Sequence, residues 1–180
     1  MLRRRRAPED PLAHIDPAGV SSRFSGAVAD ALDARGRFAD VLAGVRDGPV
    51  RDRLADAGSR LDSGVAAVWE IAQRATQVER TLAALDPDRV TDEYKRAKRS
   101  GADSELEAVL AQRFGSVQRL LNTLDDTDER LRLLDARLGA AVAGAAELAL
   151  GGAGAERLGA DLDGVVTELA ALRAALDELS

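Results

Sequence analysis

Residues 50–85 read VRDRLADAGSRLDSGVAAVWEIAQRATQVERTLAAL, and the fold turns on this stretch. Val50, Leu54, Ala57, Leu61, Gly64, Val68, Ile71, Ala75, Val78, Leu82 and Leu85 follow one another in steps of three and four. Because a helix turns every 3.6 residues, this spacing puts them all on one face. Sustained over so many turns, it is a coiled-coil heptad rather than ordinary amphipathicity. Val65, Trp69 and Ala72 form a second stripe beside the first. A rod that is apolar on two adjacent stripes has two neighbours to touch, which points to a bundle rather than a two-stranded coil.

The same period extends in both directions. Val20, Phe24, Val28, Ala31, Phe38, Leu42 and Val45 mark a helix over about 18–47. Arg46-Asp47-Gly48-Pro49 stops it, with Gly48 expected as its C-cap. After residue 85, Asp86-Pro87-Asp88 is a sharp joint: Asp86 suits an N-cap, Pro87 a first turn and Asp88 the positive end of the helix dipole. The helix it opens, about 87–99, carries Val90, Tyr94 and Ala97 and breaks at Gly101 to Asp103. Ser104 with Glu107 reads as a capping box for a long helix over 104–150. Leu106, Leu110, Val117, Leu120, Leu124, Leu131, Leu134 and Leu138 lie on its seam. Gly151-Gly152-Ala153-Gly154 interrupts the pattern, and a last helix returns to strict heptads at Leu158, Leu162, Val165, Leu169, Leu172, Leu176 and Leu179.

Short joints make successive long helices fold back on one another. The expected fold is therefore all-α: an elongated antiparallel helical bundle or coiled coil of four to five helices. Residues 1–16 form a flexible basic N-terminal tail, 17–150 the bundle, and 151–180 a glycine joint plus the C-terminal heptad helix.

Composition narrows the function classes. Of 180 residues, 46% are hydrophobic but only 3% aromatic, so the apolar content is Ala, Leu and Val, suited to helix packing and not to aromatic-lined ligand pockets. No small-molecule substrate is expected. The absence of cysteine removes disulfides, thiolate metal sites and cysteine nucleophiles. A formal net charge of −6 argues against nucleic acid as a partner. Only Lys95 and Lys98 among the 25 cationic residues are lysine, an arginine bias associated with GC-rich bacterial genomes. The N-terminus has no apolar run behind its charges, and the best apolar stretch, Gly139 to Gly154, is short and carries Glu147. A cytoplasmic location is expected.

The densest cluster of catalytic-type side chains is LDDTDE, Leu124 to Glu129. Leu124 and Leu131 sit on the seam, so the acids between them fall on the wet side of a helix. Asp125 and Asp126 diverge by about 100° and cannot converge on one ion. A calcium loop needs a glycine turn, and a bundle-type dimetal site needs Glu-x-x-His pairs. The single histidine, His14, lies in the tail, outside every expected helix, and no nucleophile elbow or P-loop is present. No metal, cofactor or catalytic residue is expected.

Three features carry functional meaning. Arg3, Arg4, Arg5 and Arg6 could be drawn to anionic lipid. Lys95, Arg96, Lys98 and Arg99 form the densest basic patch of the folded part; Asp92 is placed to pair with Arg96, and the patch also suits a helix C-terminus. The heptad surface is the third: Trp69 beside the long seam, and Leu162, Leu169, Leu172 and Leu176 on the last helix, are candidates for contact with a partner helix or a second copy. The leading expectation is a non-enzymatic scaffold or adaptor acting through helix–helix association with itself or a protein partner. The alternative is a peripheral membrane protein tethered by its arginine cluster at the inner face of the membrane. In general architecture alone, and by no motif, that alternative resembles bacterial membrane-stress proteins of the phage-shock type. An enzyme with an unfamiliar site is the minor alternative.

Overall fold

In the computed structural model, which describes residues 10–101 and 103–178, the heptad stretch is one unbroken helix. The element order is a 3-10 turn (Pro17–Gly19), α1 (Ser22–Ala43), α2 (Pro49–Leu85), α3 (Pro87–Ser100), α4 (Ser104–Ala149) and α5 (Ala155–Asp177). No strand occurs among the described residues. The protein is all-helical, with five α-helices packed against each other.

The joints show why the helices stop where they do. Asp86 takes a left-handed conformation (φ 52°), and its carboxylate accepts the Arg89 N–H at 3.2 Å, as its capping role requires. Gly101 closes α3 at φ 62°, a conformation that glycine adopts without steric penalty. Two expected caps are corrected. α1 ends at Ala43 with Gly44 as its cap, while Gly48 (φ 150°) stands at the head of α2. The Leu42 and Val45 carbonyls around that early end accept the Arg51 guanidinium at 3.2 and 2.7 Å. The Ser104–Glu107 capping box does not form. Asp103 is the N-cap, accepting the Glu105 N–H at 3.0 Å, because an ionised carboxylate one residue earlier is the better acceptor at a positive helix end.

Residues 10–16, expected in a flexible tail, are held against the bundle. Leu12 and Ile15 are buried in the core. Asp10 accepts the Leu12 N–H at 3.0 Å and grips Arg35 through two contacts of 2.8 Å. A polar, proline-punctuated sequence concealed two apolar residues three apart, enough to anchor a turn. Residues 1–9, including Arg3 to Arg6, lie outside the described residues, as does Leu179.

α2 packs against α1, α4 and α5; α1 also meets α4, and α4 meets α5. These contacts explain the two stripes of α2: one helix with three neighbours needs more than one apolar seam. Ion pairs report direction. Arg60–Asp163, Glu70–Arg173 and Arg74–Asp177 keep a constant separation along the chain, so α2 and α5 run the same way. Arg35–Asp62 and Ser21–Thr76 converge towards the α1–α2 joint, so those two helices run in opposite directions.

Buried polar groups are few and mostly satisfied. Thr76 Oγ1 accepts the backbone N–H of Ser21, the cap residue of α1, at 3.0 Å and donates to the Ala72 carbonyl at 2.7 Å. Ser21 Oγ is the buried side-chain atom left without a partner among the described residues.

Candidate interaction surface

The sequence-derived sites fall into three groups. Leu162, Leu169, Leu172 and Leu176 are buried at 3% exposure or less against their own chain. The last helix therefore docks in cis, and these four leucines offer no free surface in the folded chain. Trp69 is covered too, at 8% exposure. The 3-10 turn of its own chain lies against it: a Cβ added to Gly19 would lie 3.0 Å from the indole Cη2. Only a residue without a side chain lets the turn approach the ring so closely.

The acidic run behaves as part of a helix with one inward side. Asp125 pairs with Arg23 of α1 at 2.6 Å, and Asp128 with Arg132 at 2.9 Å. Thr127, expected among the wet residues, is fully buried and donates to the Thr123 carbonyl at 2.7 Å. No three His, Cys, Asp or Glu residues are grouped to hold a metal ion among the described residues. No described helix is long and apolar enough to cross a membrane.

The basic patch is different. Lys95, Arg96, Lys98 and Arg99 are all exposed, on the last turns of α3. α3 lies chiefly against α4. Tyr94 stacks on Phe114 with ring centroids 4.9 Å apart, and Glu93 pairs with Arg113 at 3.2 Å. Partners roughly equidistant from the joint at residues 101–103 define a helical hairpin. Lys98 sits over the Tyr94 ring at 6.0 Å, a weak cation–π contact. The expected Asp92–Arg96 ion pair is not formed; both side chains are exposed, where such a pair contributes only a few tenths of a kcal/mol.

Beside the cations the hairpin exposes apolar surface, including Leu106, which was expected on a buried seam, and Val109 beside that seam. Leu106 is 52% and Val109 58% exposed, with Leu110 and Phe114 only half-buried. α3 lies along one side of these first turns, and the side that carries Leu106 and Val109 is left uncovered. Those turns also carry Asp103, Glu105 and Glu107. Cations thus sit on α3 and anions on the start of α4, with Leu106 and Val109 among the anions. None of these seven charged side chains forms an ion pair with another described residue.

Titration is perturbed elsewhere. Asp135 is held above the ordinary carboxylate range by burial and by Asp30, with Arg37 opposing. Asp10 is held below it by the hydrogen bond from Arg35 and by the Leu12 N–H. Both arise where α1 meets its neighbours, Asp10 through Arg35 and Asp135 through Asp30 and Arg37. Compared with known proteins, the chain matches no family model, no curated protein and no solved structure.

Proposed function

We propose that this protein is a non-enzymatic helical scaffold or adaptor, an elongated helical bundle that works by helix–helix association with itself or a protein partner. The observation that supports this reading is the α3–α4 hairpin tip. There a pair of large apolar side chains, Leu106 and Val109, remains more than half exposed beside concentrated charge. Apolar residues spaced i, i+3 on an uncovered helix are the usual anchors of helix recognition. The heptad leucines of α5 do not serve, since they complete the chain's own core.

The test is cross-linking capture from the native host with full-length wild type against Leu106→Glu plus Val109→Glu. Arm-dependent capture of a discrete protein, which can be this chain itself, supports the reading; identical capture by both overturns it. Leu169 and Leu172 are unsuitable controls, because charge there would unfold the chain.

A second reading, peripheral attachment to an anionic membrane, draws support from the same tip, where cations neighbour an apolar pair and so meet the two-signal requirement. Asp103, Glu105 and Glu107 oppose it by like-charge repulsion. Sedimentation with anionic vesicles decides: binding that survives loss of Met1 to Asp10 but fails in the Leu106→Glu, Val109→Glu protein would favour the membrane.

A further inference from the structure

We infer that the α3–α4 hairpin tip recognises the same tip on a second copy of this chain, related to it by a two-fold axis. The inference rests on the scaffold reading and names its partner. A two-fold contact uses one patch twice, so the patch must be complementary to itself. This one is: Lys95, Arg96, Lys98 and Arg99 on α3 stand apart from Asp103, Glu105 and Glu107 on α4. When the tip is rotated onto its copy, α3 of each chain faces the acidic start of α4 on the other.

Helix dipoles account for the placement of each sign, cations at a C-terminus and anions at an N-terminus. They do not account for Leu106 and Val109, which remain exposed at 52% and 58%. In the two-fold arrangement the partner's α3 covers both, on the side of α4 that α3 of the same chain leaves bare. A basic or an acidic foreign partner would meet one favourable helix and one repulsive one. A second tip meets two favourable helices.

The patch spans only the last turns of one helix and the first turns of another. It therefore falls at the small end of specific interfaces, and the dimer is expected to be weak and to dissociate as salt rises. This separates it from an obligate coiled-coil dimer, whose large apolar seam resists salt.

Charge reversal in full-length protein tests the geometry. Lys95→Glu, Arg96→Glu, Lys98→Glu and Arg99→Glu together should make both helices of the tip acidic; Glu105→Lys with Glu107→Lys should make both basic. In sedimentation velocity across a wide concentration range, wild type should show a salt-sensitive monomer–dimer equilibrium. Each reversed protein alone should associate on the order of tenfold more weakly. Mixing the two should restore a dimer, because each acidic α3 then faces a basic α4 and the reverse. Val109→Glu alone should abolish dimers while circular dichroism stays helical.

A monomeric wild type, or a mixture that does not recover, overturns the inference. If arm-dependent capture of a different protein persists in that case, the scaffold reading stands with a foreign partner. If both vanish, the scaffold reading falls as well. Dimers unaffected by Val109→Glu would place the contact elsewhere and also overturn it.

Discussion

The two ends of α4 carry the same apolar periodicity and meet different fates. In its second half Leu131, Leu134 and Leu138 are at 2% exposure or less, enclosed by helices from the rest of the chain. In its first two turns Leu106 and Val109 stand more than half in water. Sequence spacing asks for a cover on one face of a helix; whether the cover exists depends on how many neighbours reach that point. Near its C-terminus α4 meets α5, and its middle meets α1 and α2. At its beginning, the side of α4 that carries Leu106 and Val109 faces away from α3 and stands in water. The difference marks the body as the part that holds the fold together, and the tip as the bare surface on which the proposed association rests.

The comparison breaks first if the two kinds of leucine behave alike. Leu169→Ala removes a side chain at 0% exposure and should cost about 2–5 kcal/mol, the range for buried leucine truncation. Leu106→Ala should stay within about 0.5 kcal/mol, as surface changes do. Urea unfolding followed by the fluorescence of Trp69, the single tryptophan, measures both. Equal costs would mean that the tip is covered in solution.

Next in size is Thr76→Val. It keeps the shape but removes the acceptor of the Ser21 N–H and the donor to Ala72, and should cost about 1–3 kcal/mol for a buried donor left unpaired. Ser21→Ala, which deletes a buried hydroxyl without a partner, should by contrast be neutral or slightly stabilising in the same assay.

Gly64→Ala sharpens the picture of the body in the opposite direction. Gly64 is buried mid-helix, and an added Cβ would meet only Leu138 Cδ2 and Leu169 Cδ1, at ordinary contact distances of 3.9 Å. Replacing it should stabilise by about 0.5–1 kcal/mol through the lost flexibility of the unfolded chain. The same change at Gly19, with Trp69 3.0 Å away, should destabilise; a gain there would show that the turn and ring are loosely packed.

The smallest expected effect is electrostatic. Asp135 has a folded-state pKa above its unfolded value, so the folded protein holds this proton more tightly than the unfolded chain. Its charge therefore weakens the fold at neutral pH, and that weakening is relieved as pH falls through the raised pKa towards 3.8. Asp135→Asn should raise Tm slightly at pH 7, with the gain shrinking on acidification. Asp10 has the opposite sign: its lowered pKa gives a stabilisation present above 3.8 and lost as pH falls through the depressed value. A thermal-melt pH series on wild type, Asp135→Asn and Asp10→Asn checks the two slopes.

Local chemistry made some features legible before any coordinates. Asp86 could be assigned as a cap because its short carboxylate reaches the free N–H groups at the start of a helix that Pro87 opens. The joint at Gly101 was visible for a similar reason. Caps with a competitor nearby were not: Ser104 was read where Asp103 acts, and Gly48 where Gly44 acts. At such places two short-range choices differ by a fraction of a kcal/mol, and packing selects one. Of the candidate surface, the cations were legible as a charge cluster. Leu106 and Val109 were not, since a leucine on a seam looks the same whether or not a neighbour is present.

By itself the sequence determined that the chain is helical and where most of its helices lie, because the 3.6-residue period and the turn residues act over a few neighbours along the backbone. It also determined that apolar stripes would seek cover. Only the tertiary structure decided which stripes found it: that α5 completes its own chain's core, that Leu12 and Ile15 join that core, and that the start of α4 remains bare. Those outcomes depend on contacts between residues far apart in the chain.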